Sequence, residues 1–210
     1  MLSVFKSFIN KVFLSLFKKK RQLKIGLYGP PNGGKTTLAN TICKDWLGEE
    51  MGSVSNIAHE TREVMIKEQL NIKRNDQELT FNLVDTPGIA TKIDYEEFIR
   101  LGMSEKKAKA RAKEATKGVI ESIRWLDEMD VVLVVLDATV DPYSQVNITI
   151  IGNLAAREIP VLIVANKIDL KKANMKRIES AFPQYPVVGI SAKYGKNTDQ
   201  FYEALFGVAK

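Results

Sequence analysis

Apolar positions fall into two kinds of pattern along this chain. The first is a set of short continuous runs, Leu23–Tyr28 (LKIGLY), FNLV before Asp85, VVLVVL over 131–136, VLIVA over 161–165 and VVGI over 187–190. Runs of this length, rich in β-branched residues and bounded by turn formers, read as strands buried on both faces. The second pattern has helical spacing and falls between the runs, near 35–47, 104–127, 144–157, 171–181 and 198–208. A further strand fits near 64–72, and the strand through Asp85 begins near 79. Strands that alternate with helices in this way predict an α/β fold, a doubly wound and mostly parallel six-stranded sheet.

The first 24 residues differ from all of this. On a helix, Leu2, Phe5, Phe8, Ile9, Val12, Phe13 and Leu16 share one broad apolar face, with Lys6, Asn10, Lys11 and Lys18 mainly elsewhere. Of the 31 Lys and Arg, seven lie in this leader, which has no Asp or Glu. The remaining 24 face 25 acidic residues, so residues 25–210 sum to −1 and the chain's net +6 belongs to the leader. Lys6, Asn10 and Lys11 interrupt the apolar run, which is far short of the roughly 20 residues of a membrane span. The basic cluster Lys18–Arg21 follows the apolar part and runs into a strand, which is the wrong order for a secretory signal. The expected organisation is a basic amphipathic helix over 1–22 and a single α/β domain over 23–210. A helix about 25 Å long can lie in the plane of an anionic membrane surface through residues 1–21. The alternative is a helix packed on its own domain or on a partner.

Composition removes other classes. A hydrophobic content of 45% with 27% charged residues is that of a globular protein with an ordinary core. The single Cys43 excludes an intrachain disulfide and, within TLANTICKDWL, reads as a small core residue. His59 is alone as well, which argues against a transition-metal cluster. A cytoplasmic protein, peripheral at the inner membrane surface if the leader binds lipid, is the expected setting.

The chemistry begins after the first strand. Gly29-Pro30-Pro31-Asn32-Gly33-Gly34-Lys35-Thr36 fits G-x-x-x-x-G-K-[ST] between a strand and a helix. Glycines let successive amides turn toward phosphate oxygens, and Pro30 and Pro31 have no amide hydrogen. The donors are therefore the amides from Asn32 through Thr37, with Gly33, Gly34, Lys35 and Thr36 between them. Lys35 adds a charge for the β and γ phosphates, and the Thr36 hydroxyl can ligate Mg2+. Three more motifs close later strands: Asp85-Thr86-Pro87-Gly88, Asn166-Lys167-Ile168-Asp169 and Ser191-Ala192-Lys193.

With these four motifs, residues 23–210 resemble the small GTPases of the translation-factor class, most closely the Era and MnmE group. The resemblance implies GTP or GDP as ligand, Mg2+ as cofactor and hydrolysis of GTP as a molecular switch. It implies that Asp169 accepts hydrogen bonds from the guanine N1–H and 2-amino group. Asn166 reads the N7 side or holds the loop, Lys167 packs over base or ribose, and the Ala192 amide meets the guanine O6. Ser191 and Lys193 complete that loop. Asp85 holds Mg2+ through water, and the Gly88 amide senses the γ-phosphate. Thr61, in His59-Glu60-Thr61-Arg62, is the expected first-switch threonine that joins Lys35 and Gly88 in catalysis and Thr36 on the metal. Two departures bear on mechanism. Ile89 stands where Ras-like enzymes carry a water-orienting Gln, and Asn32 matches an asparagine that helps bind K+ in the Era and MnmE group.

Segments near 53–63 and 86–104 are the expected switches, facing a protein effector, and a nucleotide-dependent dimer is a further implication. Window 104–117 has six bases against two acids, with Ser104 placed to cap a helix. A nucleotide-sensitive basic helix there would suit RNA or lipid headgroups, and the simpler reading is a solvated, mobile helix. Seventeen residues follow Lys193, enough for a last helix. The expectation is a chain lacking Era's C-terminal RNA-binding KH domain, to which Era's RNA contacts do not carry over. Three functions follow: a switch at a membrane surface, an rRNA-binding GTPase of ribosome assembly, or an adaptor that binds GTP and scarcely hydrolyses it.

Overall fold

Strand β4 (Val131–Asp137) shows how the sheet is built. Val131, Leu133 and Val135 enter one hydrophobic cluster, while Val132, Val134 and Leu136 enter another on the opposite face. A continuous apolar run is therefore two alternating stripes, each covered by helices. The computed structural model describes residues 23–51, 63–74, 76–90 and 93–209.

Around β4 lie β1 (Leu23–Tyr28), β2 (Met65–Arg74), β3 (Gln77–Asp85), β5 (Val161–Asn166) and β6 (Val187–Gly189), in the order β2-β3-β1-β4-β5-β6. All neighbours are parallel except β2 and β3, which form an antiparallel pair at the edge. Among the described residues the six α-helices are α1 (Lys35–Leu47), α2 (Tyr95–Arg100), α3 (Glu105–Trp125), α4 (Gln145–Ala156), α5 (Met175–Ala181) and α6 (Thr198–Val208). Helices α1 and α6 supply Leu38, Ile42, Phe201 and Leu205 to one cluster. Helices α4 and α5 supply Ile150, Leu154 and Ile178 to the other, with Val119 and Ile123 of α3 packed against it. Each fully buried side chain of this size is worth about 1.5–3 kcal/mol. Cys43 is fully buried among the first set, in keeping with a core role.

The doubly wound, mostly parallel six-stranded sheet agrees with the sequence reading, and three details differ. Helix α5 starts at Met175 rather than near 171, because the Asn174 side chain accepts from the Arg177 amide and caps it there. Helix α2 is additional, started by Asp94, whose carboxylate accepts from the Glu96 amide. Ser104 does precede α3, but its side chain makes no capping hydrogen bond.

Helix α3 is also not a fully solvated rod. Ala108, Arg111, Ala115, Gly118 and Ser122 are buried along one face, and the Arg111 guanidinium lies 5.9 Å from the Phe98 ring of α2. The two helices thus pack as a unit, and the lysines of α3 occupy its outer side. The leader, Thr61 and most of the first switch lie outside the described residues, as do Thr91 and Lys92 of the second. Among the described residues no helix is long and apolar enough to cross a membrane.

Candidate functional site

Strand order reverses around β1, with β3 on one side and β4 on the other. Open α/β sheets bind ligands outside the carboxyl ends of their strands at such a point. All four motifs are there, in the loops that follow β1, β3, β5 and β6.

The phosphate loop turns on itself between β1 and α1. The Lys35 Nζ donates to the carbonyls of Gly29 at 3.2 Å and Pro30 at 2.9 Å. Lys35 is buried, and burial pulls its pKa down to about 8 although the Asp85 charge pulls it up. Asn32 is exposed and has a left-handed φ of 59°. Gly34 has φ 95°, and a Cβ there would sit 2.2 Å from the Asn166 Nδ2, so this position requires glycine.

At the end of β3, Asp85 is fully buried, with its Oδ2 2.6 Å from the Thr36 Oγ1. Burial raises its pKa to about 6, against the Thr36 hydrogen bond, the Lys35 charge and the Thr86 amide. The other carboxylate oxygen, Oδ1, is buried without a hydrogen-bond partner. An unsatisfied buried oxygen beside a hydroxyl is a hard donor set that suits Mg2+. Thr86 anchors the strand end by donating to the Leu27 carbonyl at 2.6 Å. Gly88 passes so close to the phosphate loop that a Cβ on it would lie 2.8 Å from the Pro31 Cα.

Ile89 is 4% exposed and packed in the second core, and its amide donates to the Gly29 carbonyl at 3.1 Å. An apolar side chain seated there has no means of orienting water. A further tie holds this loop to α3. The buried Ser122 Oγ shares its one hydrogen between the Gly118 carbonyl at 2.9 Å and the Pro87 carbonyl at 3.1 Å, and the Tyr28 hydroxyl donates to the Ser122 carbonyl at 3.0 Å. Burial pushes the Tyr28 phenol well above its ordinary pKa, so it remains a donor.

The base-side motifs join the phosphate loop through one side chain. Asn166 Nδ2 donates to the Gly33 carbonyl at 3.1 Å, and its Oδ1 accepts from the amides of Lys167 at 2.8 Å and Ala192 at 3.0 Å. This favours the loop-holding role for Asn166. Thr41 of α1 adds a second tie, donating to the Ala192 carbonyl at 2.8 Å. Asp169 is half-buried and has no hydrogen-bond or ion-pair partner among the described residues. Ser191 is fully buried, whereas Lys193 is exposed with its Nζ 5.1 Å from the Tyr194 ring centroid.

The sequence reading missed Asp137 and Thr139. The Asp137 Oδ2 accepts from the Lys167 Nζ at 2.6 Å, and its Oδ1 accepts from the Thr139 amide and hydroxyl at 2.8 and 2.6 Å. The available signal was positional, since Asp137 ends VVLVVL just as Asp85 ends FNLV.

A family model described as "50S ribosome-binding GTPase" matches residues 24–167, more than half of the chain. The chain belongs to this family. It is 31% identical over 201 residues to GTPase Der of Levilactobacillus brevis, a match covering 91% of this chain and 40% of that protein. It is 33% identical over 206 residues to the tRNA modification GTPase MnmE of Chlorobium chlorochromatii, covering 94% and 38%. The chain therefore spans less than half the length of these curated relatives. Among solved structures, Aquifex aeolicus Era bound to GDP.AlF4- superposes with a TM-score of 0.66 at 25% identity, covering 88% of this chain and 56% of that one. A structure of Era in complex with MgGDPNP and nucleotides 1506–1542 of 16S ribosomal RNA gives 0.65 at the same identity and coverage.

Proposed function

We propose that the chain binds GTP and GDP with Mg2+ and hydrolyses GTP to GDP and phosphate as a molecular switch. The observation that carries this is the Asn166 side chain, which ties the phosphate loop at Gly33 to the Ser-Ala-Lys loop at Ala192. One amide thereby sets the spacing between a phosphate-binding end and a base-binding end.

At the base end, the half-buried, unpartnered Asp169 suits the guanine N1–H and 2-amino pair, which adenine lacks. The Ala192 amide serves the base oxygen, and Lys167 packs over base or ribose. At the phosphate end, amides from Asn32 through Thr37 and the Lys35 ammonium bind and orient the phosphates. Thr36 would hold Mg2+ directly and Asp85 would hold it through water, and the ion would supply positive charge to the phosphates. The Gly88 amide senses the γ-phosphate, and Thr61 completes the set from the first switch. Segments near 53–63 and 86–104 present the nucleotide state to a protein effector or a second copy of the chain.

Ile89 cannot orient water, so slow intrinsic turnover is expected, and Asn32 would help hold a K+ that would supply positive charge beside the phosphates. Turnover with Mg2+ in KCl is expected to exceed that in NaCl about tenfold or more. Equal rates in the two salts would remove the K+ site, and no turnover in either, with tight GTP binding, would favour the adaptor reading.

The leader's apolar face and basic cluster support station at an anionic membrane surface. Full-length chain is expected to float with vesicles containing anionic lipid, and chain without residues 1–21 to remain at the bottom of the gradient. Flotation that survives the deletion would overturn that role for the leader. The family's description and the RNA-bound Era structure favour a second reading, binding to ribosomal RNA. A salt-dependent RNA mobility shift that persists without residues 1–21 would support it over the membrane.

A further inference from the structure

At the carboxyl edge of the sheet Asp85 faces the phosphate side, and one other strand ends in a carboxylate that the proposed chemistry leaves unassigned. Asp137 closes β4 and pairs in parallel register with Asn166, the last residue of β5. The Ala138 amide donates to the Asn166 carbonyl at 2.9 Å, which extends the ladder one step past the strand and fixes the two loop starts relative to each other. Beyond this point Lys167 takes a left-handed φ of 67°. Its side chain reaches back to the Asp137 Oδ2 at 2.6 Å.

We propose that Asp137 is the positioning residue for the base-binding loop, holding Lys167 extended so that its aliphatic stem forms a wall of the purine–ribose pocket. This rests on the guanine-nucleotide reading above and goes beyond it by assigning a residue outside the four motifs.

The local arrangement supports the assignment. Thr139 occupies the Asp137 Oδ1 twice, through amide and hydroxyl, and leaves Oδ2 for Lys167. The side chains of Lys167 and Asp137 are 30% and 16% exposed. At that depth the pair is less screened than a surface ion pair. Burial alone would raise the Asp137 pKa, but the hydrogen bonds from Lys167 and Thr139 prevail and hold it below the ordinary value. A lysine stem has four rotatable bonds, and pinning its ammonium removes most of that freedom before a ligand arrives, which is preorganisation. Lys167 also directly follows Asn166 and lies two residues before Asp169, so its placement and theirs are one local problem.

The experiment uses the full chain and GDP. Asp137→Asn retains an oxygen that accepts from Thr139 and removes the charge that holds Lys167. It is expected to weaken GDP binding about tenfold, the scale of one charge-assisted hydrogen bond, mostly by faster dissociation. Pyrophosphate, which has neither base nor ribose, is expected to bind the variant as tightly as wild type. In a Lys167→Ala background, Asp137→Asn is expected to add less than twofold, because both changes remove the same wall. Wild-type GDP affinity in Asp137→Asn would overturn the proposal while leaving the nucleotide reading intact. So would a tenfold loss that repeats in the Lys167→Ala background, or equal weakening of pyrophosphate, since either marks a general loop defect. Absence of GDP binding by the wild-type chain would instead overturn the nucleotide reading itself.

Discussion

Replacing Asp169 by Asn is expected to weaken GDP binding by about 10^2–10^4-fold and to create binding of xanthosine diphosphate. Asp169 is half-buried and has no partner among the described residues. On the proposed reading, a bound guanine would supply its hydrogen bonds, from N1–H and the 2-amino group. In the variant an amide N–H would face one of those donors, leaving two donors opposed and one desolvated without an acceptor. Sites built around a specific hydrogen bond reject a ligand that cannot make it by as much as about 10^4–10^5-fold, so the upper end of this range is within reach. Xanthine carries a carbonyl where guanine has the 2-amino group, so the new amide donor has an acceptor. Titration calorimetry with the two diphosphates measures both halves. An Asp169→Asn chain that keeps wild-type GDP affinity would show that this residue does not read the base.

The second large effect concerns Lys35 and has two opposite parts. Lys35→Met is expected to lower GTP turnover by about 10^2–10^3-fold, the cost of losing one preorganised charge at a developing anion. The same change is expected to stabilise the nucleotide-free protein at pH 7. Lys35 is buried, and burial brings its pKa down from about 10.5 to about 8. Below pH 8 the ammonium is charged whether the chain is folded or unfolded, so the fold bears the whole desolvation cost. Between pH 8 and 10.5 the unfolded chain holds a proton that the folded chain has shed. Wild-type stability then rises with pH through this window, and the advantage of Met shrinks. The shift corresponds to about 3 kcal/mol, reduced by about 1 kcal/mol for each hydrogen bond lost at Gly29 and Pro30. Denaturant melts of both chains at pH 7 and pH 10 provide the check. Lower stability of Lys35→Met at pH 7 would show that the ammonium supports the loop more than burial penalises it.

Asp169 and Lys35 both belong to motifs that the sequence displays openly. Gly29–Thr36, Asp85–Gly88, Asn166–Asp169 and Ser191–Lys193 each close an apolar run, and a buried strand followed by a fixed set of turn residues is a short-range signal. The sheet was legible for a related reason, since strands covered on both faces have almost no polar positions to blur them. What escaped depends on long-range geometry. Asp137 is one of many acidic residues until β4 and β5 pair and bring it 2.6 Å from Lys167. Ser122 reads as a polar interruption of a helix until α3 packs and its hydroxyl finds the Pro87 carbonyl. Helix α2 is only six residues long, below the length at which apolar periodicity speaks, and its start depends on Asp94 alone. The basic outer side of α3 drew attention in the sequence, whereas its small and hidden residues Ala108, Ala115 and Gly118 determine how it packs.

The bridge at Asn166 places a constraint on how this pocket can change. Its amide serves Gly33 on one side and Ala192 on the other, and Gly34 leaves it no spare room. A substitution that retunes one half of the pocket by moving this amide also displaces the other half. On the proposed reading, recognition of the purine and grip on the phosphates are thus geared to a common shaft. A new base preference is reachable through Asp169, which stands clear of the shaft, and closed to any route that turns Asn166.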